Sequence, residues 1–376
     1  MEPMRNIFLV LGFSALLGIF IFGVLETLEE RRIVFIAPTI KRNTAIKTQT
    51  TLSNFKNGFP YTKTWVILWY NIPSYLNLYV KYSKMKKCEH IGSNCVISTD
   101  NSDVHNSSVV IFTHSSLPGS PPLKNKSQIW MFNTLENKAY THRPNTAWKN
   151  QFEWIMSYRR DADVQRPYGK IIRLDKSLER NYSEIFRQKT KFGVWMSGHC
   201  PVPSRRKEYI EQLQKYIPID TFGSCGKKKC GVRTNLKNDC LTNLAREYKF
   251  YFSFENNICK DYSTEKVFNL YKKDFNLSII PVVNGPPQAS EYLPTGTFLS
   301  TLNYTSPEVL AKKLKEIGSS EILYTKYLKE KDKYNSLDEP EIFREAICNV
   351  CQKLDKMEGD TILPKADVMN MFKNDC

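Results

Sequence analysis

Residues 248–266 of the chain read YKFYFSFENNICKDYSTEK, and the fold can be inferred outward from this stretch. The aromatic run 249–256 predicts a buried strand. A polar loop leads to a helix predicted to begin near Thr264, and the apolar residues 279–283 predict the next strand. A strand, a helix and a second strand in this order form a β-α-β unit, which is typical of a parallel sheet.

The same alternation extends over most of the chain. Short apolar runs predict further strands at 64–70, 95–99, 107–114, 128–133, 191–198 and 219–223, and an amphipathic helix at 205–216. Two such series predict an α/β fold of two doubly wound domains with a cleft between them. Ligands of such sheets bind at the carboxyl ends of the strands, near helix N-termini.

Composition limits the function classes. The chain has 376 residues, of which 41% are hydrophobic and 12% aromatic, so it is not a disordered protein. The net charge of +16 fits a phosphorylated substrate, an acidic membrane surface or nucleic acid. No motif of a nucleic-acid-binding domain occurs, so we predict no nucleic-acid partner.

One apolar stretch is long enough to cross a membrane. Residues 7–25 carry no charge and are flanked by Arg5 and Glu26. As a helix they would span about 28 Å, close to the thickness of a bilayer core. No small-residue cleavage site follows, so we predict an uncleaved anchor rather than a signal peptide.

Two further patterns predict that the body is lumenal or extracellular. Ten cysteines, an even number, suggest disulfides in an oxidising compartment. Five Asn-x-Ser/Thr sequons occur, at Asn106, Asn125, Asn181, Asn276 and Asn303. We expect glycosylation at all of them except Asn276.

Lys266 is unusual for its position in the first turn of a predicted helix. The N-terminus of a helix is the positive end of its dipole, so a cation there is misplaced unless it meets an anion. A bound diphosphate would supply that anion, and Glu265 could then accept hydrogen bonds from a ribose. The alternative is that Glu265 is an ordinary first-turn carboxylate and Lys266 a solvated charge.

At this stretch the sequence resembles the alpha-1,3-fucosyltransferases, glycosyltransferase family 10. The segment 248–266 is similar to the family signature YKF-x-x-x-FEN, a short loop and DY-x-TEK. Further segments agree in order and spacing: SYRRDADVQRPYGK (157–170), RRKEYIEQLQKYIPIDTFG (205–223), IPVVNGPP (280–287), WVILWYNIP (65–73) and AICNVC (346–351). The resemblance covers roughly residues 61–355.

The resemblance implies a GT-B fold, with two Rossmann-like domains facing each other across a cleft and preceded by one transmembrane helix. The implied segments are a cytoplasmic tail (1–6), a transmembrane signal-anchor (7–25), a stem (26–60), an acceptor-binding domain (61–185), a GDP-fucose-binding domain (186–345) and a C-terminal helix and tail with Cys-x-x-Cys (346–376). The protein would be a single-pass type II protein of the Golgi membrane.

The resemblance also implies roles for individual residues. Lys266 and Arg206 would hold the diphosphate of GDP-fucose, and Asn256, Tyr262 and Glu265 would contact the nucleotide sugar. Arg206 is preferred to Arg205 because it keeps the family offsets to the residues that follow, and Arg205 stays an alternative.

The catalytic base is less clearly marked. Inverting transfer needs a carboxylate that takes the proton from the acceptor hydroxyl. The family carries this Glu in an ESP tripeptide after a strand, and Glu136 occupies that place here. Asn137-Lys138 replaces Ser-Pro, which is a departure from the family. Glu153 is the second candidate for the base, and Glu136 as an ordinary loop carboxylate is the alternative.

Three other motifs suggest chemistry that we do not expect. Asp161-Ala162-Asp163 mimics a metal-binding Asp-x-Asp motif, but two carboxylates alone do not define a site. Cys348-x-x-Cys351 could bind zinc, but no second such pair occurs, so disulfides are favoured. His199-Cys200 could be a nucleophilic pair, although adjacency in sequence does not make one. We therefore predict no metal site and no essential cofactor, and stimulation by a divalent cation stays open.

The expected activity is transfer of L-fucose from GDP-fucose to the 3-hydroxyl of GlcNAc in glycoprotein N-glycans. Two features leave alternatives open: the altered ESP tripeptide, and a stretch between Lys266 and Pro281 that is three residues longer than usual for the family. A non-catalytic glycan-binding protein of the same fold is one alternative. A basic membrane-anchored protein that binds acidic polymers through its charge is the other, and its affinity would collapse with salt.

Overall fold

The structure is a computed structural model and describes residues 63–85, 88, 94–230, 239–357 and 363–376. The predicted tail, anchor and stem therefore lie outside the described residues. Within those residues, no helix combines the length and the apolar character that are needed to cross a bilayer.

The described elements alternate as the sequence predicts. The strands are β1 (Thr64–Tyr70), β2 (Asn94–Ser98), β3 (Val109–Thr113), β4 (Ile129–Thr134), β5 (Trp154–Ser157), β6 (Val164–Gln165), β7 (Ile171–Arg173), β8 (Lys191–Met196), β9 (Ile219–Phe222), β10 (Tyr248–Ser253), β11 (Ile280–Val283), β12 (Leu299–Ser300) and β13 (Tyr334–Ser336). The helices are α1 (Asn77–Met85), α2 (Tyr182–Gln188), α3 (Arg206–Leu213), α4 (Asp239–Glu247), α5 (Glu265–Phe268), α6 (Pro307–Ser319), α7 (Glu321–Lys331) and α8 (Glu339–Lys356). All eight strands predicted from apolar runs are confirmed.

The strands form two parallel sheets. The first sheet has the order β2-β1-β3-β4-β5-β6, and the second has the order β12-β11-β10-β8-β9. Every neighbouring pair within them is parallel. Inner strands of such sheets are covered on both faces, so they consist of consecutive apolar residues, as β3 does with all five residues buried. Strands β7 and β13 form a separate antiparallel pair.

Each sheet has an apolar core on both faces. One face of the first sheet packs on α8, whose Phe343, Ile347 and Val350 join the core formed by Ile67 and Ile111. The other face includes residues from the end of the sequence, Val368, Met369 and Phe372. Helices α3, α6 and α7 cover one face of the second sheet, and α4 and α5 cover the other.

Two predicted domain limits fall inside helices. The limit after residue 185 lies within α2, which packs on the core of the second sheet through Tyr182, Ile185 and Phe186. The limit after residue 345 lies within α8, which packs on the first sheet. The chain therefore crosses to the second sheet before α2 and returns to the first sheet at α8.

The longer stretch before Pro281 does not lengthen α5. That helix has four residues, and two 3-10 turns follow it, at Asn269–Tyr271 and Lys273–Phe275. The additional residues are accommodated on the surface, where Lys273, Asp274 and Asn276 are exposed. All five sequon asparagines are exposed.

All ten cysteines lie in the described part of the chain and pair as five disulfides, which the sequence could not assign. The pairs are Cys88–Cys348, Cys95–Cys351, Cys200–Cys225, Cys230–Cys240 and Cys259–Cys376. Cys348 and Cys351 thus bind two different cysteines of the first sheet region, and neither is a zinc ligand. Cys200 is bonded to Cys225, so the idea of a nucleophilic Cys200 is wrong.

Cys88–Cys348 and Cys95–Cys351 should stabilise the protein non-additively. They span 260 and 256 residues, so each alone closes almost the same large loop. Once one bridge is formed, the other closes only a short loop, because Cys88 is near Cys95 and Cys348 is near Cys351 in sequence. The second bridge then contributes less, because the entropy cost grows with loop length. We expect the Cys95→Ser/Cys351→Ser variant to lose about 2–3 kcal/mol, and removal of both bridges to cost more than twice that.

The shift of the urea midpoint and slope of the oxidised protein measures this effect. The control is Cys230→Ser/Cys240→Ser, which opens a bridge that spans only 10 residues. If the losses from the two long bridges simply added, the loop argument would be contradicted.

Candidate active site

The carboxyl ends of the two sheets bring Glu136 and Tyr262 together. Glu136 lies in the loop after β4, and Tyr262 lies in the loop between β10 and α5. The Tyr262 hydroxyl donates to Glu136 Oε2 at 3.2 Å. The predicted base and a residue predicted to contact the nucleotide sugar are therefore neighbours, although 126 residues separate them in sequence.

The loop that carries Glu136 is held by its own threonines. The Glu136 amide donates to Thr134 Oγ1 at 3.1 Å, and Thr141 Oγ1 donates to the Glu136 carbonyl at 2.8 Å. The Tyr168 hydroxyl donates to the carbonyl of Leu135 at 2.8 Å. These bonds fix the backbone and leave the Glu136 carboxylate free to face Tyr262.

The surroundings of Glu136 shift its affinity for protons. Burial raises the pKa of Glu136, against the hydrogen bond from Tyr262 and the charge of Lys266, which lower it. The charges of Glu265 and Glu255 raise the pKa further. A carboxylate with a raised pKa is suited to accept a proton near neutral pH.

Glu255 is the centre of a buried cluster that the sequence analysis missed. Its side chain is only 2% exposed. Oε1 accepts from the amide and the hydroxyl of Thr264 at 2.8 and 2.9 Å, and Oε2 accepts from Lys266 Nζ at 3.0 Å. The available signal was its position two residues after a buried strand, at the carboxyl end of the sheet. We call Glu255, Thr264, Glu265 and Lys266 the Glu255 cluster.

Lys266 meets carboxylates at the start of α5. Besides Glu255, Glu265 Oε1 lies 3.5 Å from Lys266 Nζ. Burial lowers the pKa of Lys266, but the charges of Glu255 and Glu265 outweigh it and raise the pKa above its usual value. Lys266 is therefore a fixed cation, and the interpretation of it as a solvated charge is wrong, since it is three-quarters buried and paired.

Arg206 and Arg205 have opposite environments. Arg206 is buried at the start of α3 and donates to the carbonyls of Phe254, at 2.9 Å, and His199, at 3.0 Å. Its Nε is buried and has no hydrogen-bond partner among the described residues. Arg205 is exposed. Burial lowers the pKa of Arg206, against the charges of Glu255 and Glu265, which raise it.

Asn256 bridges the two halves of the site. Its Oδ1 accepts from Asn137 Nδ2 at 2.9 Å. Asn137 follows Glu136 directly, so the loop after β10 is bonded to the loop after β4.

Glu153 does not belong to this site. It lies at the amino end of β5, where Oε1 accepts from Lys124 Nζ at 2.6 Å and Oε2 accepts from the amide of Trp130 at 2.8 Å. Its role is to join β4, β5 and Lys124, and the alternative that it acts as the base is wrong.

The two carboxylates of the Asp-x-Asp motif have separate partners. Asp161 binds Arg159 at 2.6 Å, and Asp163 accepts from the amide of Ile155 at 2.9 Å. Within the described ranges, one group of metal-binding side chains lies close enough to share an ion: Cys259, Asp375 and Cys376. The disulfide between Cys259 and Cys376 removes both thiols from that role.

A cavity of about 540 Å³ lies next to Asp261 and Ser263. Its lining includes Asp261, Ser263, Phe268 and Tyr292. Glu136, Asn256 and Lys266 do not line it, so it is separate from the cluster described above.

Comparisons with known proteins match both sheet regions of the chain. Residues 186–367 match the family model described as glycosyltransferase family 10 (fucosyltransferase) C-term, and residues 61–169 match the model fucosyltransferase, N-terminal. The Drosophila melanogaster protein named glycoprotein 3-alpha-L-fucosyltransferase A is 33% identical over 209 residues, which is 54% of this chain and 40% of that protein.

A human relative is matched over more of its length. The Homo sapiens protein named 4-galactosyl-N-acetylglucosaminide 3-alpha-L-fucosyltransferase 9 is 31% identical over 268 residues, 68% of this chain and 69% of that protein. Among solved structures, an alpha1,3-fucosyltransferase with GDP-fucose aligns with a TM-score of 0.52 at 17% identity, covering 84% of this chain and 96% of that one. At this identity the likeness supports the two-domain fold alone.

Proposed function

Because this chain belongs to glycosyltransferase family 10, the fucosyltransferases, we propose that it transfers L-fucose from GDP-beta-L-fucose to the 3-hydroxyl of a GlcNAc in glycoprotein N-glycans. The transfer inverts the anomeric carbon. The name of the Drosophila relative specifies glycoproteins, and that of the human relative specifies a galactosyl-N-acetylglucosaminide. The solved alpha1,3-fucosyltransferase of the same fold was crystallised with GDP-fucose.

The proposal rests on one observation, the approach of Glu136 to the Glu255 cluster across the two sheets. Tyr262 links them, since its hydroxyl bonds to Glu136 and its loop continues into Thr264 and Lys266. A carboxylate that accepts protons therefore lies beside a buried cation. In inverting transfer from a nucleotide sugar, such a base takes the proton of the acceptor and such a cation stabilises the leaving diphosphate.

In the proposed reaction Glu136 acts as the general base. The acceptor oxygen attacks the anomeric carbon of fucose while its proton passes to the Glu136 carboxylate. The bond between that carbon and the diphosphate oxygen breaks, and GDP leaves with the electron pair. The raised pKa of Glu136 makes the carboxylate a stronger base than a free Glu.

Fixed cations stabilise the leaving group. Lys266 and Arg206 are assigned to the diphosphate, because both are buried near Glu255 and their positions are set before the substrate arrives. Asn256, Tyr262 and Glu265 are assigned to the nucleotide sugar. We propose no essential metal cofactor, since Asp161 and Asp163 are bonded to protein groups, and turnover in excess EDTA tests this.

The proposed compartment is the Golgi lumen, with residues 7–25 as a type II anchor. Five disulfides support an oxidising compartment, and the exposed sequons at Asn106, Asn125, Asn181 and Asn303 support glycosylation there. Protease protection of the body in sealed Golgi vesicles tests the orientation.

Mass spectrometry of a defined N-glycan panel tests the activity. The full chain is incubated with GDP-fucose, and a gain of one deoxyhexose is mapped to a particular GlcNAc, core or antennal. Tight glycan binding in calorimetry without GDP-fucose binding would favour the non-catalytic glycan-binding protein, whereas no gain from a protein that binds GDP would contradict Glu136 as the base or the choice of acceptor. No gain and no GDP binding would contradict the proposal itself.

The pH dependence of kcat/KM should show the protonation of Glu136. Protonated Glu136 cannot accept a proton, so kcat/KM should fall as pH drops through its raised pKa. The hydrogen bond from Tyr262 favours the charged form, so Tyr262→Phe should raise the pKa and move the acid limb to higher pH. Tyr324→Phe is the control, because Tyr324 donates to the Lys249 carbonyl. An acid limb that does not move would contradict the assignment.

A further inference from the structure

Asn137 is completely buried and its carboxamide joins the two loops of the site. Its Nδ2 donates to Asn256 Oδ1 at 2.9 Å, and its Oδ1 accepts from Asn257 Nδ2 at 3.3 Å and from the Ala139 amide at 3.1 Å. Asn137 lies in the loop after β4, whereas Asn256 and Asn257 lie in the loop after β10. One side chain therefore holds together segments that come from different sheets.

These contacts determine how Asn256 is oriented. Because Asn137 presents an N–H to it, Asn256 must turn its Oδ1 toward Asn137. Its Nδ2 is then the free end, and it has no hydrogen-bond partner among the described residues. Asn256 thus offers a donor rather than an acceptor to a bound nucleotide sugar.

The same contacts restrain Glu136. The carbonyl of Glu136 accepts a hydrogen bond from Thr141. The side chain of the next residue, Asn137, is bonded to Asn256 in the loop after β10. Asn137 therefore ties the backbone that carries Glu136 to the loop after β10. A serine, the residue that the resembled family has at this position, ends one bond closer to the backbone and offers a single oxygen in place of separate donor and acceptor atoms.

We propose that Asn137 is a positioning residue that couples the base loop to the donor loop, orienting the Asn256 amide toward the nucleotide sugar and holding Glu136 beside Tyr262. This inference rests on the proposed function of the site. It also explains the departure from the ESP tripeptide, because the replacement supplies a contact between the two loops. The altered tripeptide is then no argument for a non-catalytic protein.

Loss of this coupling should weaken GDP-fucose binding and change the pKa of Glu136. A buried hydrogen-bonding group left without its partner costs enough to change an equilibrium about 10–100-fold, so we expect Asn137→Ala to weaken GDP-fucose binding by that factor. The bond from Tyr262 and the charges of Lys266, Glu265 and Glu255 act on Glu136 from the donor side, and Tyr75 and Tyr168 interact with it from loops of the first sheet. A loosened loop exposes Glu136 to water and also weakens its bond to Tyr262. Because burial has the largest effect on the pKa of Glu136, its loss decides the sign, so the pKa falls and the acid limb of kcat/KM moves to lower pH.

Asn137→Asp tests the orientation specifically. It keeps the shape but replaces the donor with a carboxylate oxygen, so Asn256 must rotate its amide to offer Nδ2 to that carboxylate. The Asn256 Oδ1 then faces the nucleotide sugar. We expect the KM for GDP-fucose to rise about 10-fold or more while the protein stays folded. Asn137→Ser, with the family residue, is the variant used if Asn137→Ala does not fold.

The experiment measures GDP-fucose affinity by calorimetry, kcat and KM separately, the pH profile and the melting temperature. Asn145→Ala is the matched control, since Asn145 also bonds a carbonyl, that of Gly119, but is exposed. Variants that melt earlier but keep wild-type affinity, KM and pH profile would overturn the inference. Affinity is measured without an acceptor, so a wild type that binds GDP-fucose but transfers nothing would contradict the proposed function and still test Asn137.

Discussion

Glu136→Gln should lower kcat by about 10²–10⁴-fold, the range that a positioned general base contributes. Glutamine keeps the size of the side chain and still has a carbonyl oxygen that accepts the hydrogen bond from Tyr262, which lies at 3.2 Å in the native site. It cannot take up a proton at neutral pH. The acceptor oxygen would then have to attack without losing its proton, and the reaction slows while the fold persists.

GDP affinity in this variant should stay within a factor of about three, or about 0.7 kcal/mol, because Lys266 and Arg206, which are assigned to the diphosphate, are untouched. Single-turnover kinetics and calorimetry with GDP measure the two quantities. Glu291→Gln is the matched control, since it removes an exposed carboxylate that pairs with Arg160. Loss of GDP binding together with turnover would identify Glu136 as a donor ligand and contradict its assignment as the base.

Lys266→Ala should have the next largest effect, on donor binding. Without its ammonium group the diphosphate loses a buried cation, and we expect GDP affinity to fall about 100-fold, since truncating one partner of a buried charge pair costs about 2–5 kcal/mol. The same change leaves the Glu255 carboxylate, which is 2% exposed, without its cation. Breaking such a pair destabilises a protein by about 3–5 kcal/mol, so lost activity could reflect unfolding.

The double variant Lys266→Met/Glu255→Gln separates the two causes. It removes both buried charges, so the melting temperature should recover while GDP affinity stays low. Lys170→Ala is the control, since Lys170 forms an exposed ion pair with Glu345. If the double variant bound GDP as tightly as the wild type, Lys266 would be a structural partner of Glu255 rather than a donor ligand.

The strands could be predicted because the residues within each strand carry the signal. Buried parallel strands such as β3 and β11 appear as apolar runs. The proximity of Glu136 and Tyr262 was implied by the family resemblance and by the rule that ligands bind at carboxyl ends of strands. Neither inference required knowledge of which distant residues touch.

The burial and the partners of individual side chains could not be predicted, because they depend on packing in three dimensions. The bond between Glu255 and Lys266 is local in sequence, but a carboxylate after a strand looks the same whether it is buried or solvated. Glu153 was a candidate for the base until its bonds to Lys124 and Trp130 showed a structural role. The place where the chain changes sheets, at α2 and α8, depends on packing rather than on composition.

The return of α8 to the first sheet has a consequence for synthesis of the protein. The residues that cover the face formed by Ile67 and Ile111 are made long after that face, as are Cys348 and Cys351, which lie 260 and 256 residues beyond their partners. At about 5–20 residues per second, tens of seconds separate the two events. During that interval the nascent chain carries an uncovered apolar surface and two reactive thiols. We therefore expect the yield of folded protein to depend on a chaperone that shields the surface and on an isomerase that corrects mispaired thiols.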